Sequence, residues 1–258
     1  MSRDGDSGTS GAIPASSAEH PDTPSIGSPY YVVPECKEQI EIIYRDDDIV
    51  VIAKPAFLLS VPGRGPENKD CVITRLNLEF PEIHLVHRLD LDTSGLMVFA
   101  LTQPAQASIA RAFQERRVHK QYDAILEGIV EQDEGSIDLP IAPDWSNRPR
   151  QKICEERGKH ALTHYRVIKR DPSAHCTHVR LIPVTGRSHQ LRIHTLKLGH
   201  PIIGCDLYAP DDICARSPRL LLHAASLSFN HPRTGLWHRF TSQAPFLENG
   251  SQQFPPLL

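Results

Sequence analysis

GLMVFALTQPAQASIARAFQERR, residues 95–117, changes periodicity halfway along. Gly95–Leu101 is a short apolar run of strand length. Thr102 then stands where an N-cap belongs, Pro104 falls in the first turn, and Ile109, Ala112 and Phe113 follow at helical spacing, which predicts a strand feeding a helix. N-terminal to it, IEIIY (Ile40–Tyr44) and IVVIAKP (Ile49–Pro55) lie at hairpin distance across RDDD. LLSVPGRGPENKD (Leu58–Asp70), broken by Pro and Gly, reads as an exposed loop. C-terminal to it, Tyr122, Ala124 and Leu126 alternate with their neighbours in a strand ending at Gly128. Further strands are expected over Thr163–Lys169, His178–Val184, Leu220–Ala224, Ser226–Asn230 and Leu236–Thr241, and a second helix over Ser188–Leu198, closed by Gly199 as a left-handed cap. Strands outnumber helices without alternating regularly with them. The fold class is therefore α+β, a mainly antiparallel or mixed β-sheet flanked by helices and loops. The absence of any internal repeat of about 20–50 residues excludes solenoids and propellers.

The bounds agree with one sizeable domain. Of 258 residues, 40% are hydrophobic and 23% charged, enough to bury a real core. The opening MSRDGDSGTSGAIPASS has acids where a signal peptide needs a basic region, and no apolar run approaches the roughly 18 residues of a membrane span. A soluble, cytoplasmic protein with no membrane partner is expected. Residues 1–36, rich in Ser, Gly, Pro and Asp, read as a disordered acidic tail, and 37–258 as a single domain. Six scattered cysteines, with no C-x-x-C pair and no Cys/His ladder, predict reduced thiols and no metal site. The net charge of −3 conceals a division. Residues 1–48 hold three Lys/Arg against ten Asp/Glu, whereas Arg148–Lys197 holds twelve against three. Such a basic stretch is the footprint that phosphate binding requires.

Three segments concentrate reactive side chains, each beside a strand: HRLDLDTSG (His87–Gly95), KQYDAILEG (Lys120–Gly128) and PVTGRSHQLRIH (Pro183–His194). Taken alone, the first is a strand-edge turn carrying Arg88, Asp90 and Asp92, or simply a turn whose aspartates serve backbone N–H groups. The third crowds Arg187, His189, Arg192 and His194 into a turn and the start of the expected helix. There guanidinium groups and free N–H groups together suit phosphate or carboxylate. Ser188, His189 and Arg192 would share one polar face of that helix. RPRQKICEERGK (148–159) sets Arg148, Arg150, Lys152, Arg157 and Lys159 against Glu155 and Glu156, an RNA-gripping arm or a solvated loop. His87, His189 and His194 lack a matching third ligand and are expected to be hydrogen-bonded packing residues rather than metal ligands.

Together these segments resemble the RluA family of pseudouridine synthases. HRLDLDTSGLMV resembles the family's catalytic-aspartate segment, KQYDAILEG its tyrosine segment, and PVTGRSHQLRIHTLKLGHPIIG its third motif, in matching order over about Ile40–Phe246. LLSVPGRG, DWSNRPRQK and PRLLLHAASL narrow the likeness to the branch that modifies both 23S ribosomal RNA and transfer RNA. The resemblance implies a pseudouridine synthase fold; with only the low-complexity residues 1–36 before the first strand no S4 RNA-binding domain is expected, and a monomer without cofactor or metal is expected. It implies catalytic roles for Asp90 as the carboxylate, Tyr122 as the active-site tyrosine and Arg192 as a salt-bridging partner of Asp90. It further implies that Arg88 fills the space left by a flipped base; from their charge and placement Arg187, His189, Arg148, Arg150 and Lys152 are expected at the RNA. One departure is Cys205 in GCDLY, where the family usually has Asp. Two other classes remain on residue types alone. One is an RNA-binding or ribosome-assembly factor without turnover. The other is a sugar hydrolase using Asp92 as a second carboxylate, though Asp92 lies too near Asp90 in sequence to flank a substrate.

Overall fold

The computed structural model describes residues 32–247. Twelve strands and four helices follow one another as β1 (Glu41–Arg45), β2 (Ile49–Lys54), α1 (Val72–Leu76), β3 (His84–Leu85), β4 (Ser94–Ala100), α2 (Gln103–Gln114), β5 (His119–Glu127), β6 (Glu134–Asp138), β7 (Ile141–Pro143), β8 (Gln151–Ile153), β9 (Leu162–Asp171), β10 (Cys176–Pro183), α3 (Gln190–Lys197), α4 (Asp211–Cys214), β11 (Leu222–Asn230) and β12 (Trp237–Thr241). Ten strands form one sheet in the order β1-β2-β4-β11-β5-β10-β9-β6, with β12 beside β11 and β3 beside β4, while β7 and β8 pair separately. The sheet is mixed: β11 runs parallel to β4 and antiparallel to β5 and β12. Among the described residues no helix is long and apolar enough to cross a membrane.

The strand-then-helix reading of residues 95–117 holds, and the packing explains it. Every residue of β4 is buried. Its alternate residues Leu96 and Val98 pack with Ile49, Val51 and the Ile109–Ala112 face of α2, whereas Met97 and Phe99 pack with Val50, Ile52 and the Val72–Leu76 face of α1. A strand covered on both faces needs no polar alternation, which is why β2 and β4 read as continuous apolar runs. Thr102 caps α2 as expected, its Oγ1 accepting from Ala105 N–H at 3.3 Å. The RDDD turn closes through Asp46, whose carboxylate accepts from the Asp48 and Ile49 N–H groups at 2.8 and 2.9 Å.

Several expectations need correction. Helix α3 starts at Gln190 rather than Ser188, because His189 adopts a left-handed conformation (φ 55°) that interrupts the helical path. Ser188 and His189 therefore share no helical face with Arg192, and Gln190 through Thr195 are all buried. Residues 222–230 form one strand with a register shift between Ala224 and Ser226, not two strands. The loop Leu58–Asp70 is not wholly exposed, since Leu58, Ser60 and Asn68 are buried. Most of the expected tail, residues 1–31, lies outside the described residues. Its far end is docked: Val33 N–H donates to Asn68 at 2.8 Å, and Cys36 is buried with its thiol on the Ala56 carbonyl. The sequence reading also passed over β3, β6, β7, β8, α1 and α4, all short.

Gly95 is the hinge between the Asp90 segment and the sheet. It has φ +111°, and a Cβ there would meet the Ala224 carbonyl oxygen at 2.4 Å, at the parallel bridge between β4 and β11. Gly95→Ala is expected to destabilise the fold by about 2 kcal/mol or more, read as a lower urea midpoint. An unchanged midpoint would show that β4 and β11 can separate freely.

Candidate active site

The segment between β3 and β4 carries Asp90, and two buried side chains hold its backbone from below. Ser60 Oγ donates to the Leu89 carbonyl at 2.7 Å and accepts from the Leu89 N–H at 3.1 Å. Lys54, at the inner end of β2, donates to the carbonyls of Leu91, Pro55 and Leu58 at 3.0, 2.8 and 2.7 Å. Three carbonyls thus take the three ammonium protons, and Asp90 is fixed between two anchored neighbours. The Thr93 N–H closes the turn on the Asp90 carbonyl at 3.3 Å.

Burial pushes the Lys54 ammonium down to about 7, opposed by the charges of Asp92 and Asp90. The sign of the consequence is fixed. Between that value and the ordinary lysine value of 10.5, the unfolded chain holds a proton that the folded chain has shed, so stability rises with pH across this window. Urea midpoints compared at pH 7 and pH 9.5 are expected to show the rise, and Lys54→Met to flatten it. A wild-type midpoint falling over the same interval would contradict the assignment.

A cleft of about 500 Å³ opens over this segment. Arg88, Asp90, Tyr122, Arg187, His189 and Arg192 all line it, so the three polar segments converge. Tyr122 on β5 packs against core clusters on both sides, and burial, then the charge of Asp90, raises its hydroxyl well above the ordinary tyrosine range. The phenol stays protonated at neutral pH. Burial likewise holds the His189 imidazole below its usual range, against the pull of Asp90. Its Nδ1 shares a 2.6 Å hydrogen bond with the Tyr208 hydroxyl, which also accepts from Gln151 N–H at 2.9 Å.

Arg192 differs from expectation. Its guanidinium is buried, and its ion pairs among the described residues are with Asp92, at 3.5 Å, and Asp206, not with Asp90. Its Nε donates to Cys205 Sγ at 3.2 Å, so the thiol at the departing position still occupies one guanidinium edge. Burial raises the Asp92 carboxyl to about 6, helped by Asp206 and opposed by Arg192. The reason for the shifted pairing is the buried path of α3, which carries the guanidinium to Asp92 and Asp206.

Arg148, Arg150 and Lys152 lie outside the lining of the cleft. They sit on and beside the β7–β8 pair, where the Arg148 guanidinium covers the Trp145 ring at 3.9 Å and Lys152 pairs with Asp144 at 3.5 Å. The bond from Gln151 to Tyr208 joins this arm to His189. His87 and His194 are packing residues, as expected. His87 Nε2 accepts from Val98 N–H at 3.0 Å, and the His194 ring bonds to Thr163 and the Leu139 carbonyl. One group among the described residues, Asp46, Asp48 and His231, has the donor types of a metal site. Its carboxylates are engaged by Tyr44, Arg233 and turn N–H groups, away from the cleft.

Sequence reasoning missed Lys54, Ser60, Lys120, Asp206 and Tyr208. Lys54 did carry a signal, a lone charge closing an apolar strand.

Residues 48–197 match the family model for RNA pseudouridylate synthase. The chain belongs to this family. It is 51% identical over 205 residues to the dual-specificity RNA pseudouridine synthase RluA of Yersinia pestis, covering 80% of this chain and 99% of that one. RluA of Escherichia coli strain K12 is 49% identical, covering 80% and 93%. Among solved structures, human RNA pseudouridylate synthase domain containing 1 superposes with a TM-score of 0.69 at 31% identity, covering 83% of this chain and 87% of that one. Human RNA pseudouridylate synthase domain containing 4 gives 0.65 at 26% identity, covering 80% and 88%. This pseudouridine synthase is an isomerase acting on RNA. Its family match contains all three polar segments, while Cys205, Asp206 and Tyr208 fall beyond its end.

Proposed function

We propose that this pseudouridine synthase isomerises uridines in both 23S ribosomal RNA and transfer RNA, the latter in the anticodon loop, with Asp90 as the carboxylate acting at the ribose. The observation that carries this reading is the meeting of Asp90, Tyr122 and Arg192 at one cleft of nucleotide size. The reaction breaks the bond from uracil N1 to ribose C1′, turns the base, and joins C1′ to C5; N1 gains a proton and C5 loses one. No electrons are exchanged and no group is added, so the chemistry asks for neither metal nor cofactor. It asks for a carboxylate, a pocket for an extruded base, and extrusion itself, which costs a few kcal/mol.

Asp90 attacks C1′ or removes a ribose proton. Tyr122 stacks on the extruded uracil, with its hydroxyl, protonated in the free enzyme, as the candidate group for the C5 proton step. Arg192 acts through Asp92 and Asp206. Arg88, exposed beside Asp90, fills the gap the base leaves, and Arg187 and His189, which also line the cleft, meet the RNA. Arg148, Arg150 and Lys152 extend the contact along the backbone, within the basic stretch that phosphates require. The same reading makes the enzyme a cytoplasmic monomer whose one catalytic domain begins near residue 37. Dual specificity rests on the half-identical relatives that carry it in their names.

Mapping pseudouridine in ribosomal and transfer RNA from a strain lacking this protein, beside its complemented parent, tests the assignment. Loss at one 23S site and one anticodon-loop site is expected. Loss confined to ribosomal sites would overturn the dual assignment.

A further inference from the structure

Lys120 has no part in the roles given so far, yet it lines the cleft two residues before Tyr122 on β5. Residues two apart on a strand share a face, and a rise of about 3.3 Å per residue sets them about 7 Å apart. Two long side chains that start this close on one face can meet the base and the adjoining phosphate of one nucleotide. Lys120 stands largely buried, with no charge offsetting its own. Val86, Phe113 and Val118 line the cleft with it, and Gly186 leaves the ammonium uncovered, a Cβ there standing 3.6 Å from Nζ. The His87 imidazole is held neutral by burial and by the charge of Lys120, and its Nε2 already accepts from Val98 N–H. The other charged residues that line the cleft are Arg88, Asp90, Arg116, Arg187 and Arg192, and none of them shifts the Lys120 ammonium. Among the described residues no carboxylate pairs with Lys120 and its ammonium donates no hydrogen bond. Burial alone pushes its ammonium down to about 8. A partly desolvated cation without a counter-ion is unfavourable in the free protein, and that cost is relieved when an anion arrives.

We propose that Lys120 is the phosphate anchor of the target nucleotide, gripping the phosphodiester next to the uridine whose base lies on Tyr122. This rests on the reading that RNA enters this cleft with the base on Tyr122. Gly186 serves the same end by keeping side-chain bulk away from the ammonium.

The test uses the full chain carrying Lys120→Gln, with Lys120→Arg as the charge-keeping control, on an RNA stem-loop of a modified site. KM is expected to rise about tenfold with kcat within about twofold. The slope of log Kd against log salt is expected to become shallower by about one, and Lys120→Arg to restore both. The melting temperature of Lys120→Gln should hold or rise, since an unpaired charge has left the cleft wall. A fall in kcat at unchanged KM would assign Lys120 to proton transfer and overturn the proposal. An unchanged salt slope, or a melting temperature lowered by several degrees, would overturn it as well. The salt-slope measurement needs no turnover, so it reports on Lys120 even if Asp90 proves not to be the reacting carboxylate.

Discussion

Asp90→Asn is expected to lower pseudouridine formation by at least about 10⁴-fold while leaving RNA affinity within tenfold, or about 1.4 kcal/mol. The substitution keeps the shape of the side chain and removes the charge that must attack C1′ or take a ribose proton. It leaves the supports of the loop intact. Ser60 still clamps both backbone groups of Leu89, and Lys54 still holds the Leu91 carbonyl, because neither contact involves the Asp90 side chain. The cations that meet phosphate are also untouched. Turnover and RNA binding measured on one preparation separate the effects. Full activity would remove Asp90 from the chemistry, and equal loss of affinity and rate would make it a binding residue.

Arg192→Met is expected to cost about 3 kcal/mol of stability at pH 8, because it strips the buried cation from Asp92 and Asp206. Asp206 can turn to solvent, whereas Asp92 stays in the protein with its carboxyl already raised to about 6. Without Arg192 that value rises further. The folded variant then holds a proton that the unfolded chain lacks, so its stability climbs as pH falls through this range. The deficit against wild type should therefore be clearly smaller at pH 5.5 than at pH 8. Activity should drop more than tenfold, since Asp92 is two residues from Asp90 on the same turn. Equal deficits at the two pH values would mean that Arg192 is stabilising something other than Asp92.

Continuous apolar runs and a capped helix were legible from residue types because each is a local pattern with a local cause. Thr102, the Asp46 turn and the Gly199 cap all act within a few residues of themselves. The helix at 188–198 was misplaced by two residues because the left-handed conformation of His189 answers to tertiary contacts. Gln190, the first helical residue, is tied to Thr185, Leu162 and Thr163. Asp90, Tyr122 and Arg192 were legible as a set from their motifs, but the partner of Arg192 was not. Whether a buried guanidinium meets Asp90 or Asp92 depends on the path of α3. Lys54 and Ser60 escaped notice because their work is done across 37 and 29 residues of chain. Nothing in a strand ending or a Pro-rich loop announces which distant carbonyl it will hold.

The most direct measurement is release of tritium from uridine C5, since joining C1′ to C5 expels that hydrogen and ordinary RNA binding or hydrolysis does not. Wild-type protein is expected to release one equivalent per site from both an unmodified anticodon stem-loop and a 23S fragment carrying [5-³H]uridine, and Asp90→Asn to release none. Release from neither RNA by wild type, or undiminished release by Asp90→Asn, would contradict the assignment of this cleft as an aspartate-dependent pseudouridine synthase site.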